Sequence, residues 1–187
     1  IASQKTPLFR ILGVKANIFQ DGGSSLTQEL AYGLSMANEY LDKLTSLGLS
    51  ATEVMNSLQF TFAVGPNYFM EIAKPRAARW LWSVICKEWG IEMEDINMAF
   101  HSETAKWNLS LYDPYVNVLR GTTEAMSASL GGADSISVRA FDAAYKEEND
   151  FSSRISRNLQ IVLKEEAYFD KVADPASGSY YIETLTD

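Results

Sequence analysis

The chain holds one histidine, His101, inside the stretch FHSETAKWNLSLYDPY. Glu103 follows two residues later, with Ser102, Thr104 and Lys106 close by. Residues two apart on an extended strand share a face. His101 and Glu103 could therefore work as an acid–base pair on one substrate. A lone histidine without a positioned partner is more often structural, and the spacing permits both readings. Asp21-Gly22-Gly23 precedes a helix start and could cradle a phosphate. It lacks the rest of a nucleotide fingerprint, and a plain turn accounts for it. With one histidine and one cysteine, the chain has no HxxxH or CxxC spacing for a metal. A Ser-His-Asp hydrolase would need a nucleophile elbow, which is lacking. Trp80, Trp82 and Trp89 read as core or interface residues.

Alternating strands and helices position these residues. The first strand candidate is LFRILGVKANIF, from Leu8 to Phe19. Ser25 with Gln28 forms a possible capping box. Leu26, Leu30, Leu34, Ala37, Leu41 and Leu44 then recur at steps of three and four, one face of a helix, and Gly48 terminates it. SLQFTFAV is the second strand, with Leu58, Phe60, Phe62 and Val64 on one side and Gln59, Thr61 and Ala63 on the other. A long helix from about Asn67 to Trp89 follows. Pro75 inside it predicts a kink near Glu71–Pro75, or a break. INMAFHSE is the third strand. The third helix is predicted to start with Asp113 as cap and Pro114 at the first position and to end at Gly131–Gly132. DSISVRAF is the fourth strand. The fourth helix runs from about Asp150, with Phe151, Ile155, Leu159 and Val162 on its apolar face. The segment KVADPASGSYYIETL is a loop leading into another helix.

Four βα units without hairpin signals predict an α/β fold with a parallel sheet and right-handed crossovers. Open doubly wound sheets and (β/α)8 barrels both satisfy this. A barrel needs about 250 residues, so 187 residues and four units make roughly half of one. The strand faces turned away from the helices carry Gln59, Thr61 and Ala63, then Ala99, His101 and Glu103, then Ser135, Ser137 and Arg139. Barrel interiors are ordinarily filled by bulky branched residues. Small polar ones predict room along the axis for water or a ligand.

Bulk properties narrow the function classes. A chain that is 47% hydrophobic can bury one sizeable core. Its net charge of −8 and lack of a basic run argue against nucleic acid and anionic membrane surfaces. A single cysteine, Cys86, excludes an internal disulfide and reads as a small buried side chain. There is no apolar run of spanning length and no signal peptide, which makes a cytoplasmic location the expectation. The start IASQK, without Met, and the stop at IETLTD predict a piece of a larger protein.

Four separated blocks, YFMEIAKPRAARWLW, KWNLSLYDPYVNVLRGTTEAMSASLGGADSI, FSSRISRNLQIVLKEE and KVADPASGSYYIETLT, resemble the barrel domain of methylmalonyl-CoA mutases, in the same order. The resemblance covers essentially the whole chain, residues 1–187. It implies the C-terminal half of a (β/α)8 barrel, through whose axis the coenzyme A arm threads. It also implies a separate adenosylcobalamin-binding domain, absent here, and a radical rearrangement between (R)-methylmalonyl-CoA and succinyl-CoA. At the chemical positions the resemblance lapses. Asn17 and Ile18 stand where the family carries Tyr and His, and isoleucine cannot donate a hydrogen bond or shuttle a proton. Ser57 and Gln59 stand where it carries an Arg and a Ser that hold coenzyme A, so a phosphate-pairing cation is lost. The family's His-x-Gln becomes His101 and Glu103. Ser137 replaces a His and Arg139 an Asn, and Arg139 is expected to pair with Glu103 and partly plug the interior.

Retained scaffold with lost chemistry resembles the small subunit of heterodimeric bacterial mutases. That class implies no catalytic residue, vestigial substrate positions at Ser57, Gln59, His101, Glu103, Ser137 and Arg139, and no metal. It implies adenosylcobalamin bound by a catalytic large-subunit partner and none on this chain. The rival readings are an active acyl-CoA mutase with another substrate and a barrel that holds acyl-CoA without turnover. Half a barrel also leaves open strand edges, which predicts self-association of the isolated piece.

Overall fold

The computed structural model describes residues 9–147 and 149–187; Leu8 of the first predicted strand and the start IASQK lie outside them. The described residues form an α/β fold with one four-stranded sheet, β1 (Leu12–Lys15), β2 (Leu58–Val64), β3 (Ala99–Thr104) and β4 (Ser135–Ser137). All neighbours are parallel and the spatial order is β1-β2-β3-β4. This sequential parallel arrangement of βα units is that of part of a (β/α)8 barrel. Seven helices accompany it among the described residues: α1 (Asn17–Asp21), α2 (Leu26–Ser46), α3 (Ala51–Ser57), α4 (Tyr68–Glu88), α5 (Val116–Leu130), α6 (Asp150–Glu165) and α7 (Tyr180–Thr186).

The core lies between the sheet and helices α2 and α4. The alternation in β2 buries Leu58, Phe60, Phe62 and Val64 against them. Phe62 stacks on Phe100 of β3 with centroids 4.8 Å apart, and Trp82 of α4 meets Phe60 edge-on at 5.0 Å. Trp82 is fully buried and donates its indole N–H to the Asn97 carbonyl at 3.1 Å. Trp89 reaches Asn38 Oδ1 at 2.8 Å, whereas Trp80 is exposed. Cys86 is buried among these groups, and burial pushes its thiol up to about 12, which makes it inert.

The predicted helix α2 carries its capping box, with Ser25 accepting from Gln28 N and Gln28 bonding back to Ser25 N. Gly48 follows in the left-handed conformation at φ 95°. Gly33 marks the closest approach of α2 to the sheet: a Cβ there would lie 2.8 Å from that of Ala16 and 3.2 Å from the Phe62 ring.

Six expectations need correction. β1 stops at Lys15 and the chain turns into α1, so Asn17 and Ile18 are helical. An unforeseen helix, α3, ends at Ser57, whose hydroxyl donates to the Glu53 carbonyl; Ser57 is not a strand residue. The helix containing Pro75 runs from Tyr68 to Glu88 without the break offered as one outcome. Proline removes one donor, but Glu71, Ile72, Lys74 and Ala78 on either side are buried and hold the helix in place. Asp113 does not cap α5. It sits at φ 48°, and its backbone carbonyl, not its carboxylate, accepts from Val116 N at 3.1 Å. β4 has three residues, so Arg139 lies beyond it: Arg139 N donates to Thr104 Oγ1 at 2.8 Å in place of a ladder bond. On α6, Phe151 and Val162 are exposed while Ser152, Ser156 and Leu163 are buried. Small serines let the helix approach the chain after β4, where Ser156 Oγ donates to the Arg139 carbonyl at 3.1 Å.

Candidate functional site

The face of the sheet turned away from α2 and α4 is built in registered layers. Gly13, Gln59 and Ala99 form the lowest, Lys15, Thr61, His101 and Ser135 the middle, and Ala63, Glu103 and Ser137 the highest, at the C-terminal ends of the strands. This is the small, polar face that the alternation predicts. Ser57 lies below all three layers, before β2 begins.

His101 and Glu103 share that face but not a partner. His101 Nδ1 shares a hydrogen bond with Ser135 Oγ at 2.7 Å. Glu103 is engaged one layer higher. Its Oε2 accepts from Asn17 Nδ2 at 2.7 Å, and its Oε1 lies 3.0 Å from the Arg139 guanidinium. Arg139 also faces Asp21 at 3.4 Å and donates from Nε to the Thr104 carbonyl at 2.7 Å. The anticipated pairing of Arg139 with Glu103 is therefore present, and an acid–base pair of His101 with Glu103 is not assembled. Asp21, read as part of a plain turn, takes a further role: its carboxylate accepts from Lys106 N at 2.8 Å. Four segments thus meet at one mouth: α1 through Asn17 and Asp21, β3 through Glu103, the loop after β3 through Lys106, and the chain after β4 through Arg139.

Ile18, next to Asn17, is 54% exposed and brings no polar side-chain atom to this network. Glu103, Ser137 and Arg139 line one cleft of about 420 Å³, closed on the other side by Arg157 and Gln160 of α6. Gln59, His101 and Asn17 do not line it. Among the described residues no group of three or more His, Cys, Asp or Glu side chains could hold a metal ion.

A second network lies behind the mouth and escaped the sequence reading. Lys74 of α4 is buried and donates to Glu29 Oε2 at 2.8 Å, to the Ala63 carbonyl at 2.6 Å and to Gln20 Oε1 at 3.3 Å. It also lies 2.7 Å from Glu71. Glu29 Oε1 accepts from Ala63 N at 2.7 Å and Glu71 Oε1 from Gly65 N at 2.8 Å. Burial pushes the Glu29 carboxyl above its ordinary range, opposed by Lys74. For Lys74, burial favours the neutral amine, yet the Glu71 and Glu29 carboxylates outweigh it and raise its value. This junction fixes Gln20, the neighbour of Asp21, against the C-terminal end of β2. The one available signal was the i, i+3 spacing of Glu71 and Lys74, which reads equally well as a solvated pair.

Beside it, Glu124 of α5 is buried and accepts from Asn108 Nδ2 in the loop after β3. Burial pushes its carboxyl up to about 7.

Comparison with known proteins agrees with this architecture. All of residues 1–187 match the methylmalonyl-CoA mutase family. The methylmalonyl-CoA mutase small subunit of Porphyromonas gingivalis is 50% identical over 188 residues, 100% of this chain and 30% of that protein. The large subunit from the same organism is 40% identical over 186 residues, 99% of this chain and 26% of that protein. The small subunit of Propionibacterium freudenreichii subsp. shermanii is 39% identical over 183 residues, 97% of this chain and 28% of that protein. The chain therefore spans less than a third of the length of each of these relatives. Its four parallel βα units and full-length match place it, as a partial barrel, in the methylmalonyl-CoA mutase family.

Proposed function

We propose that this chain is part of the barrel of a small, non-catalytic subunit of an adenosylcobalamin-dependent methylmalonyl-CoA mutase, and that it supports a catalytic large subunit by packing against it. Residues 1–187 then act as one partial barrel unit, with the cobalamin-binding domain elsewhere. The carrying observation is the mouth. Its carboxylate and guanidinium are spent on each other and on Asn17 and Asp21, so neither is left to grip a substrate carboxylate or phosphate. Greater identity to the small subunit than to the large subunit of the same organism supports the assignment.

The residues at this mouth do not fit a corrin. Ile18 offers no donor, and the single imidazole is bonded to Ser135. Cobalamin is accordingly assigned to the partner, and the substrate positions Ser57, Gln59, His101, Glu103, Ser137 and Arg139 are read as vestigial.

The test uses the full-length chain, alone and mixed with its large subunit. Alone, it is expected to give no turnover of methylmalonyl-CoA with adenosylcobalamin and no binding heat with acyl-CoA. The mixture is expected to form a stable heterodimer that turns over. Turnover by the chain alone would overturn the proposal in favour of an active mutase. Binding heat without turnover would favour an acyl-CoA-holding barrel.

A further inference from the structure

The loop between β3 and α5, residues 105–115, borders the mouth through Lys106 and is tied down at several points. Ala105 N donates to the Val64 carbonyl at 2.8 Å and Lys106 N to Asp21 Oδ1 at 2.8 Å. Ser110 exchanges two hydrogen bonds with the Asn117 side chain at 3.0 and 2.9 Å. Trp107 covers Gly23: a Cβ there would lie 3.6 Å from its ring. The remaining anchor is Asn108, whose Nδ2 donates to Glu124 Oε1 beneath the loop.

That anchor is half made. Asn108 Oδ1 is buried with no hydrogen-bond partner, which is unfavourable for a polar atom. Asn108 already gives its amide N–H to one oxygen of Glu124. A carboxylate can only accept, whereas a carboxylic acid also donates. A proton on the second oxygen of Glu124 would satisfy Asn108 Oδ1 and close a two-bond acid–amide pair.

We propose that protonated Glu124 latches the 105–115 loop beside the mouth through both atoms of the Asn108 amide, and that loss of this proton to solvent loosens the loop. This goes beyond the subunit's assigned role and stands whether or not the mouth holds a ligand.

Around Glu124, the hydrogen bond from Asn108 and the charge of Arg120 on α5 favour ionisation, while Glu71 of α4 opposes it. Glu71 is itself held by Lys74, and Arg120 is turned toward Asn117 Oδ1 at 2.9 Å. Burial is the largest influence and sets the carboxyl at about 7, against 4.5 for a solvated group. A carboxyl raised in the closed state binds more protons there than in the open state. The contribution of Glu124 to closure is therefore fully present below about 4.5 and is lost as pH rises through about 7, while the other anchors remain.

Hydrogen exchange of residues 105–117 in the full-length chain tests this, after correction for intrinsic rates. Protection is expected to fall about tenfold between pH 6 and pH 8. Glu124→Gln retains an N–H donor for Asn108 Oδ1 and should stay protected at both values. A flat wild-type profile, or the same fall in Glu124→Gln, would overturn the latch. If Glu124→Gln does not fold, the wild-type 13C-carboxyl resonance of Glu124 decides. A midpoint of 6 or above supports the latch and one below 6 overturns it.

Discussion

Two ionic networks of similar make-up adjoin each other through the consecutive residues Gln20 and Asp21. Behind the mouth, Lys74 holds Glu29 and Glu71, with all three side chains at most 3% exposed. At the mouth, Arg139 holds Glu103 and Asp21, with side chains 18–25% exposed. Each places one cation between two carboxylates. The enclosed set also satisfies the backbone of Ala63 and Gly65, so it belongs to the construction of the sheet. The half-open set also meets backbone, at the Thr104 carbonyl and Lys106 N, but its charged side chains stay within reach of solvent. Burial, not residue type, separates the enclosed junction from the half-open one.

The largest way to break this comparison is Lys74→Met in the full-length chain. It leaves two buried carboxylates unpaired and should cost about 3–5 kcal/mol, read from urea unfolding with an unchanged denaturant slope. A loss below about 1 kcal/mol would mean that the junction relaxes or admits water. Arg139→Met should cost less, about 1–2 kcal/mol, because solvent reaches Glu103 and Asp21. High salt sharpens the contrast. The Arg139 effect should shrink in 1 M NaCl, where screening extends over about 3 Å, and the Lys74 effect should persist. Ile18→His should be the mildest, within about 0.5 kcal/mol of wild type. It should restore no turnover to the chain alone, since the neighbouring carboxylate and guanidinium remain tied together.

The sheet was legible because β2 and β3 alternate cleanly and each helix is preceded or followed by turn residues such as Ser25 and Gly48. The pairing of Arg139 with Glu103 was legible because opposite charges stood on the same predicted face. The end of β1 at Lys15 was not, since Ala16 to Phe19 continues an apolar pattern that suits strand and helix alike. The face of α6 was misread because Phe151 and Val162 outrank Ser152 and Ser156 in hydrophobicity, while close approach to the Arg139 carbonyl selects small side chains. The Lys74 junction was invisible because its members come from α1, α2 and α4. Only tertiary packing reveals that a lysine, two glutamates and a glutamine share one buried pocket.

The spatial order of the strands follows their order along the chain. As synthesis proceeds, each new βα unit among the four can dock on the one completed just before it. Loop closure is then limited to one crossover at a time. On the ribosome β2, β3 and β4 can each add to the strand made just before it.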